Sequence, residues 1–163
     1  MVHAPVQGRF RVRDDRWGDG HFGKSRGHFA DGSKKFHDGA DIVVLPNQII
    51  LSPISGKVVK IDYPYASDLS WKGVQIENSI LIAEVWYVEP DEDIVGREVI
   101  GGLHRIGRAQ NISQKYGVDP DKGLMTPHVH FRLSLKPMSY MVQRTWGTSV
   151  VHVDPIPFIC EEG

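Results

Sequence analysis

Apolar positions in the middle of the chain come in short, β-branched-rich runs separated by turn residues. Asp41–Leu45, Ile49–Leu51, Gly56–Ile61, Gly73–Ile76, Leu81–Val88 and Val129–Leu135 are such runs, bounded by Pro46-Asn47, Ser55-Gly56 and Asn78-Ser79. Their Val, Ile and aromatic residues suit a pleated, half-buried surface. Many strands at close spacing predict an all-β single domain, a compact antiparallel sheet or sandwich-like fold with little helix. Only Asn111–Tyr116 reads as helical, for one turn or two, before Gly117 and Pro120 stop it. Residues 1–35 are rich in Gly, Arg, Asp and His and poor in aliphatic periodicity, so they read as a loop segment lying over a domain of residues 36–163. Lys136–Thr148 carries Met138, Tyr140, Met141 and Trp146 without alternation. It reads as an insertion, at about 136–148, between the final two strands, packing onto the domain or contacting a partner.

Composition narrows the possible functions. A chain of 163 residues builds one hydrophobic core and is short for two. The formal net charge of -1 gives no broad basic field, which argues against nucleic-acid binding. Met1–Gln7 lacks the apolar stretch of a secretory signal, and no apolar run approaches membrane-spanning length. The sequence therefore predicts a soluble protein with no membrane insertion. Cys160 is the only cysteine, which excludes an internal disulfide and a cysteine-based zinc knuckle. Any bound metal is held by histidine and carboxylate.

Two stretches supply such ligands. In His128-Val129-His130, strand alternation sends both imidazoles to one face. In His37-Asp38-Gly39-Ala40-Asp41, Gly39 permits a tight backbone path that brings His37 and Asp41 together. Taken alone, the second stretch would read as a turn with an imidazole–carboxylate hydrogen bond; the later His-x-His changes that. Hydrolytic zinc usually takes three protein ligands and leaves a fourth position open. Four candidates exist for three places, and a surplus histidine suits a site that also moves protons.

The order Phe22-Gly23 then Arg26, His37-x-x-x-Asp41-Ile42, Ser52-Pro53-Ile54-Ser55-Gly56-Lys57-Val58-Val59, Pro127-His128-Val129-His130-Phe131 and Val153-Asp154-Pro155 resembles the LytM/lysostaphin-type zinc metallopeptidases, from about Gly20 to the C-terminus. The resemblance implies a small antiparallel β domain with a groove and one zinc ion held by His37, Asp41 and His130. It implies that His128 handles protons, and that the activity is cutting of peptide cross-bridges or stems of bacterial peptidoglycan. A phage particle or tail, with other virion proteins as partners, would suit a small lytic domain of this kind. Arg26 is expected to brace the groove wall or to bind a substrate carbonyl or carboxylate.

The chain departs from that pattern at one place. Active members carry a Tyr-x-His segment whose histidine stabilises the charged oxygen of the intermediate; here the stretch is Trp86-Tyr87-Val88-Glu89-Pro90. A carboxylate at Glu89 accepts hydrogen bonds and cannot donate one, and losing one such donor costs on the order of 10²–10³ in turnover. Glu89 is thus either a solvated residue or a substitute base, and the Tyr87 phenol is a candidate donor toward the site. The same form is similar to that of vertebrate leukocyte cell-derived chemotaxin, a relative regarded as non-proteolytic. A catalytically impaired zinc-binding module, or a structural component of a larger assembly such as a phage tail, is therefore the alternative. His104 and His152 read as surface or structural histidines; His21 and His28 lie where they could edge the groove.

Overall fold

The computed structural model describes residues 1–136 and 150–159. In chain order the described strands are β1 (Asp14–Asp15), β2 (Gly18–Asp19), β3 (Ser25–His28), β4 (Lys34–Phe36), β5 (Ala40–Val43), β6 (Ile49–Leu51), β7 (Gly56–Asp62) and β8 (Gly73–Glu77). They continue with β9 (Leu81–Trp86), β10 (Val88–Pro90), β11 (Glu98–Val99), β12 (Arg105–Ala109), β13 (Val118–Asp119), β14 (Gly123–Leu124), β15 (His128–Leu135) and β16 (Val151–Val153). One helical turn, α1 (Ser113–Tyr116), precedes β13. The expected all-β single domain is observed.

A seven-stranded antiparallel sheet runs β11-β7-β8-β9-β15-β16, with β5 also paired to β15. Strand β15 organises it. Its His130–Leu135 stretch pairs with β9 on one edge. On the other edge, His128–Phe131 pairs with β5 and Leu133–Leu135 with β16. Side chains alternate between the faces. Val129, Phe131 and Leu133 enter the core together with Ile42 of β5, Val85 of β9 and Val74 of β8. The core continues into Ile50, Val88 and Ile106 of a second, three-stranded sheet, β10-β12-β6. The opposite face of the large sheet carries His128, His130, Asp41 and Trp86. Register sets their neighbours: His130 faces Asp41 on β5 and Trp86 on β9, and Trp86 in turn faces Gly73 on β8. A β-carbon on Gly73 would come within 2.5 Å of the Trp86 ring, so glycine is what lets the indole lie across β8.

Several segments differ from their sequence expectation. The opening stretch, read as loop, forms two hairpins, β1-β2 and β3-β4, and sends Val2, Ala4 and Val6 into the common core. The run Leu81–Val88 is broken: β9 ends at Trp86, β10 begins at Val88, and Tyr87 between them has φ +67°. Of the expected insertion only Lys136 is described, its ammonium 2.7 Å from Glu77; the remainder lies outside the described residues. No described helix is long and apolar enough to cross a membrane.

Phe131 is fully buried and sits on the core face of β15 directly between the site histidines and Arg132. Phe131→Ala is expected to lower the unfolding free energy by about 3–5 kcal/mol in urea denaturation. A loss below about 1 kcal/mol would show that β15 does not anchor the core.

Candidate metal centre

The site is built where β5 and β15 lie side by side. Asp41 and His130 are direct cross-strand partners, so the sheet register sets carboxylate against imidazole. His37 enters from the turn before β5. Its N–H donates to the Lys24 carbonyl and its carbonyl accepts from Gly23 N–H, both at 2.8 Å, which moors that turn to the N-terminal segment. Gly39 is needed for closeness. A β-carbon there would stand 2.5 Å from the Phe131 carbonyl oxygen and 2.8 Å from His130 Nε2 and Cε1, displacing the ring that forms the site.

His37 Nε2, His130 Nδ1 and Asp41 Oδ1 converge. His37 Nε2 lies 3.0 Å from His130 Nδ1 and 3.1 Å from Asp41 Oδ1, and His130 Nδ1 lies 3.1 Å from the same oxygen. All three residues are buried, and they form a possible metal-binding triad. The hydrogen-bond partners fix where the protons go. His37 Nδ1 donates to the His21 carbonyl at 3.0 Å, leaving Nε2 with a bare lone pair. His130 Nε2 lies 3.3 Å from Asp38 Oδ1, off the line of a hydrogen bond but close enough for the carboxylate to favour the proton on that side. His130 Nδ1 lies within hydrogen-bonding reach of Asp41 Oδ1 at 3.1 Å, so a proton on Nδ1 bridges the two in the metal-free site. With the proton on Nε2 instead, both inner nitrogens present lone pairs to the carboxylate oxygen, and a metal ion takes the place of that proton. With donors at about 2.0–2.1 Å, a tetrahedral zinc ion spaces its ligands about 3.3 Å apart, so the donor set and its spacing fit zinc. Without a metal, a proton is the remaining cation. Burial opposes it, yet the carboxylates of Asp38 and Asp41 push the His130 pKa up. Burial likewise opposes charge on Asp41, but His130 and His37 hold its carboxyl well below the usual range.

His128 occupies the same face without joining the triangle. Its Nδ1–H donates to the Thr126 carbonyl at 2.8 Å, so Nε2 is the unprotonated nitrogen, 3.8 Å from Asp41 Oδ2. Burial lowers its pKa and disfavours the charged ring, against the opposing pull of Asp41. The Tyr87 ring meets it edge-on, with centroids 5.6 Å apart, and burial pushes the phenol pKa up. Trp86 stacks on His130 at 4.8 Å.

Arg26 Nη2 lies 3.6 Å from Asp41 Oδ2 and is buried without a hydrogen-bond partner. Among the described residues, four buried side-chain polar atoms lack a partner, and three of them, on Arg26, Trp86 and His130, surround this site. Of these, Arg26 Nη2 is the one within reach of the triad, 3.6 Å from Asp41 Oδ2. Glu89 is placed elsewhere. Its carboxylate is exposed, taking the Lys72 ammonium at 2.6 Å and Gln110 Nε2 at 3.4 Å. His21 is exposed and contributes through its backbone carbonyl, His28 is exposed, His104 accepts from Ile100 N–H, and His152 Nδ1 meets Ser134 Oγ at 2.8 Å.

Sequence reasoning missed a buried clamp. Arg13, only 4% exposed, donates from Nη2 and Nε to Asp41 Oδ2 at 3.0 and 3.3 Å and from Nη1 to Asp15 Oδ1 at 2.7 Å. Asp15 Oδ2 accepts the Thr126 N–H at 2.9 Å. The clamp thus fixes the outer oxygen of Asp41 and also holds Thr126, the residue whose carbonyl orients His128. Asp38 was missed as well; its second oxygen takes Arg132 Nη1 at 2.8 Å. Arg13 lies amid charged residues in the sequence, with nothing to set it apart from a solvated one.

Solved structures with similar architecture include lysostaphin from Staphylococcus simulans (TM-score 0.62, 16% identity), aligned over 97% of this chain and 53% of that one. The fold is of the LytM/lysostaphin type. A zinc-containing peptidase from Vibrio cholerae aligns with TM-score 0.56 and 22% identity over 83% of this chain and 37% of its own. The catalytic domain of the prophage-encoded protein EnpA from Enterococcus faecalis, crystallised as a mutant, aligns with TM-score 0.54 and 22% identity over 94% of this chain and 95% of its own. The chain therefore spans well under two thirds of the Vibrio peptidase and of lysostaphin, and at these identities the likeness is one of LytM/lysostaphin-type architecture. No protein-family model and no curated protein sequence matches the chain.

Arg13→Met removes both donors from the outer oxygen of Asp41. Zinc affinity, measured by competition with a chromogenic chelator, is expected to fall about 10–100-fold with the β-sheet spectrum retained. Unchanged affinity would show that the clamp does not support the metal site.

Proposed function

We propose that the chain is a zinc metalloendopeptidase acting on peptide cross-bridges or stems of bacterial peptidoglycan. The observation that carries this reading is the meeting of three potential ligand atoms, from His37, His130 and Asp41, at 3.0–3.1 Å with a fourth imidazole, His128, beside them. His37, Asp41 and His130 are the proposed ligands of one Zn²⁺. When bound there, zinc supplies Lewis-acid polarisation of a carbonyl and lowers the pKa of water toward neutrality. The remaining chemistry belongs to the chain. His128 Nε2 takes the proton of the attacking water and returns it to the leaving amine, while its Nδ1–H bond to Thr126 fixes ring and tautomer. Arg26, with a partnerless buried Nη2, is suited to hold a substrate carbonyl or carboxylate. The zinc-containing peptidase and lysostaphin among the structural neighbours support the reaction class.

A second reading is a zinc-holding module that binds wall peptide without cutting it, or that serves as a component of a larger assembly such as a phage tail. It is favoured by Glu89, which takes the sequence position of the family's histidine but is exposed, engaged by Lys72 and Gln110, and offers no donor to the site.

Digestion of purified peptidoglycan by the zinc-loaded protein, with mass analysis of released peptides, separates the two readings. His128→Ala is expected to lower hydrolysis by about 10²–10⁴ with zinc content intact. His130→Ala is expected to lose the zinc. Equal metal loss in both variants would contradict the division of roles, and full zinc content without digestion in the wild type would favour the second reading.

A further inference from the structure

The break between β9 and β10 has a use beyond ending a strand. Regular alternation after Val85 (core) and Trp86 (site face) would turn Tyr87 back into the core. Its φ of +67° is a conformation that bulky residues rarely adopt, and it instead brings the ring edge-on to His128. The kink is fully hydrogen-bonded. The N–H groups of Tyr87 and Val88 both donate to the Lys72 carbonyl, at 2.8 and 3.0 Å, and the Tyr87 carbonyl accepts Gln110 N–H at 2.8 Å. The ring is fixed by Tyr65, stacked at 6.2 Å, and by Trp71, edge-on at 6.4 Å.

Behind this ring three hydroxyls form a chain. Tyr65 Oη lies 3.2 Å from Tyr87 Oη and 2.9 Å from Tyr116 Oη. Tyr116 is 44% exposed and forms the solvent end, while Tyr87, whose ring meets His128 edge-on, forms the other end. Tyr65 is pinned by the Lys115 ammonium 4.0 Å over its ring, itself held by Asp68 at 3.1 Å. Each hydroxyl has one proton to donate. When Tyr116 donates to Tyr65 and Tyr65 to Tyr87, the Tyr87 proton is left over to be donated to a bound group, and each bond in the chain polarises the next.

We infer that the Tyr87 hydroxyl, backed by Tyr65 and Tyr116, is the hydrogen-bond donor to the oxygen that becomes negative when a bound peptide carbonyl is attacked. This inference rests on the hydrolytic reading above. It gives the donor role to the kink residue, since Glu89 two positions on is an acceptor already occupied by Lys72. The proton is shared in a hydrogen bond and is not transferred, so no other proton donor is required.

The test uses inorganic phosphate, a tetrahedral anion whose oxygens stand in for those of the intermediate, titrated by calorimetry into the zinc-loaded full chain. Tyr87→Phe is expected to weaken phosphate binding on the order of 10-fold or more, with zinc content and melting temperature unchanged. Tyr65→Phe, which removes only the hydroxyl behind it, is expected to weaken it by a smaller factor. In peptidoglycan digestion, Tyr87→Phe is expected to lower kcat and leave KM unchanged. A zinc-loaded wild type that Tyr87→Phe matches in phosphate affinity overturns this inference alone. A wild type that retains no zinc overturns the hydrolytic reading and this inference together.

Discussion

Two imidazole nitrogens and a carboxylate oxygen held about 3 Å apart need a shared proton or a metal ion among them, because three inward lone pairs repel. That constraint organises the polar face of the large sheet. The strand register sets Asp41 opposite His130, the turn through Gly39 delivers His37, and partners behind the three residues settle which atom of each faces in. The His21 carbonyl and the Asp38 carboxylate draw imidazole protons outward, and Arg13 occupies the oxygen of Asp41 that does not point inward. The charge balance is therefore arranged before any substrate arrives, as expected of a preorganised site.

The clamp from Arg13 through Asp15 to Thr126 gives the N-terminal segment a direct part in shaping the candidate site. It links the outer oxygen of a proposed ligand to the backbone that sets the tautomer of His128. A segment that sends Val2, Ala4 and Val6 into the core is well placed to hold such a clamp rigidly. Strain at Tyr87 belongs to the same design, because one left-handed residue redirects an aromatic side chain from the core to the side where His128 lies.

Much of this was legible in the sequence. The strands rich in Val and Ile announced themselves by composition and turn boundaries, and β5 through β9 and β15 lie close to where the pattern puts them. The pairing of His37-x-x-x-Asp41 with His128-x-His130 pointed to the site because period-2 alternation decides which residues share a face. What stayed hidden depends on long-range pairing. The hairpins of residues 14–36 have little aliphatic periodicity, since their side chains are mostly exposed. Strand β12 mixes Arg and Gly with a single fully buried isoleucine. Arg13 and Asp38 look like surface charges until the fold puts carboxylate and imidazole beside them. The role of Gly39 was legible only in part: the sequence suggests a tight turn, and the structure adds the close approach of the His130 ring.

Zinc K-edge absorption spectroscopy on the full chain loaded with one equivalent of metal tests the central claim most directly. The account predicts a nitrogen- and oxygen-only shell at about 2.0–2.1 Å that fits two imidazoles and a carboxylate. A shell with three or more imidazoles, or no retained zinc, would contradict it.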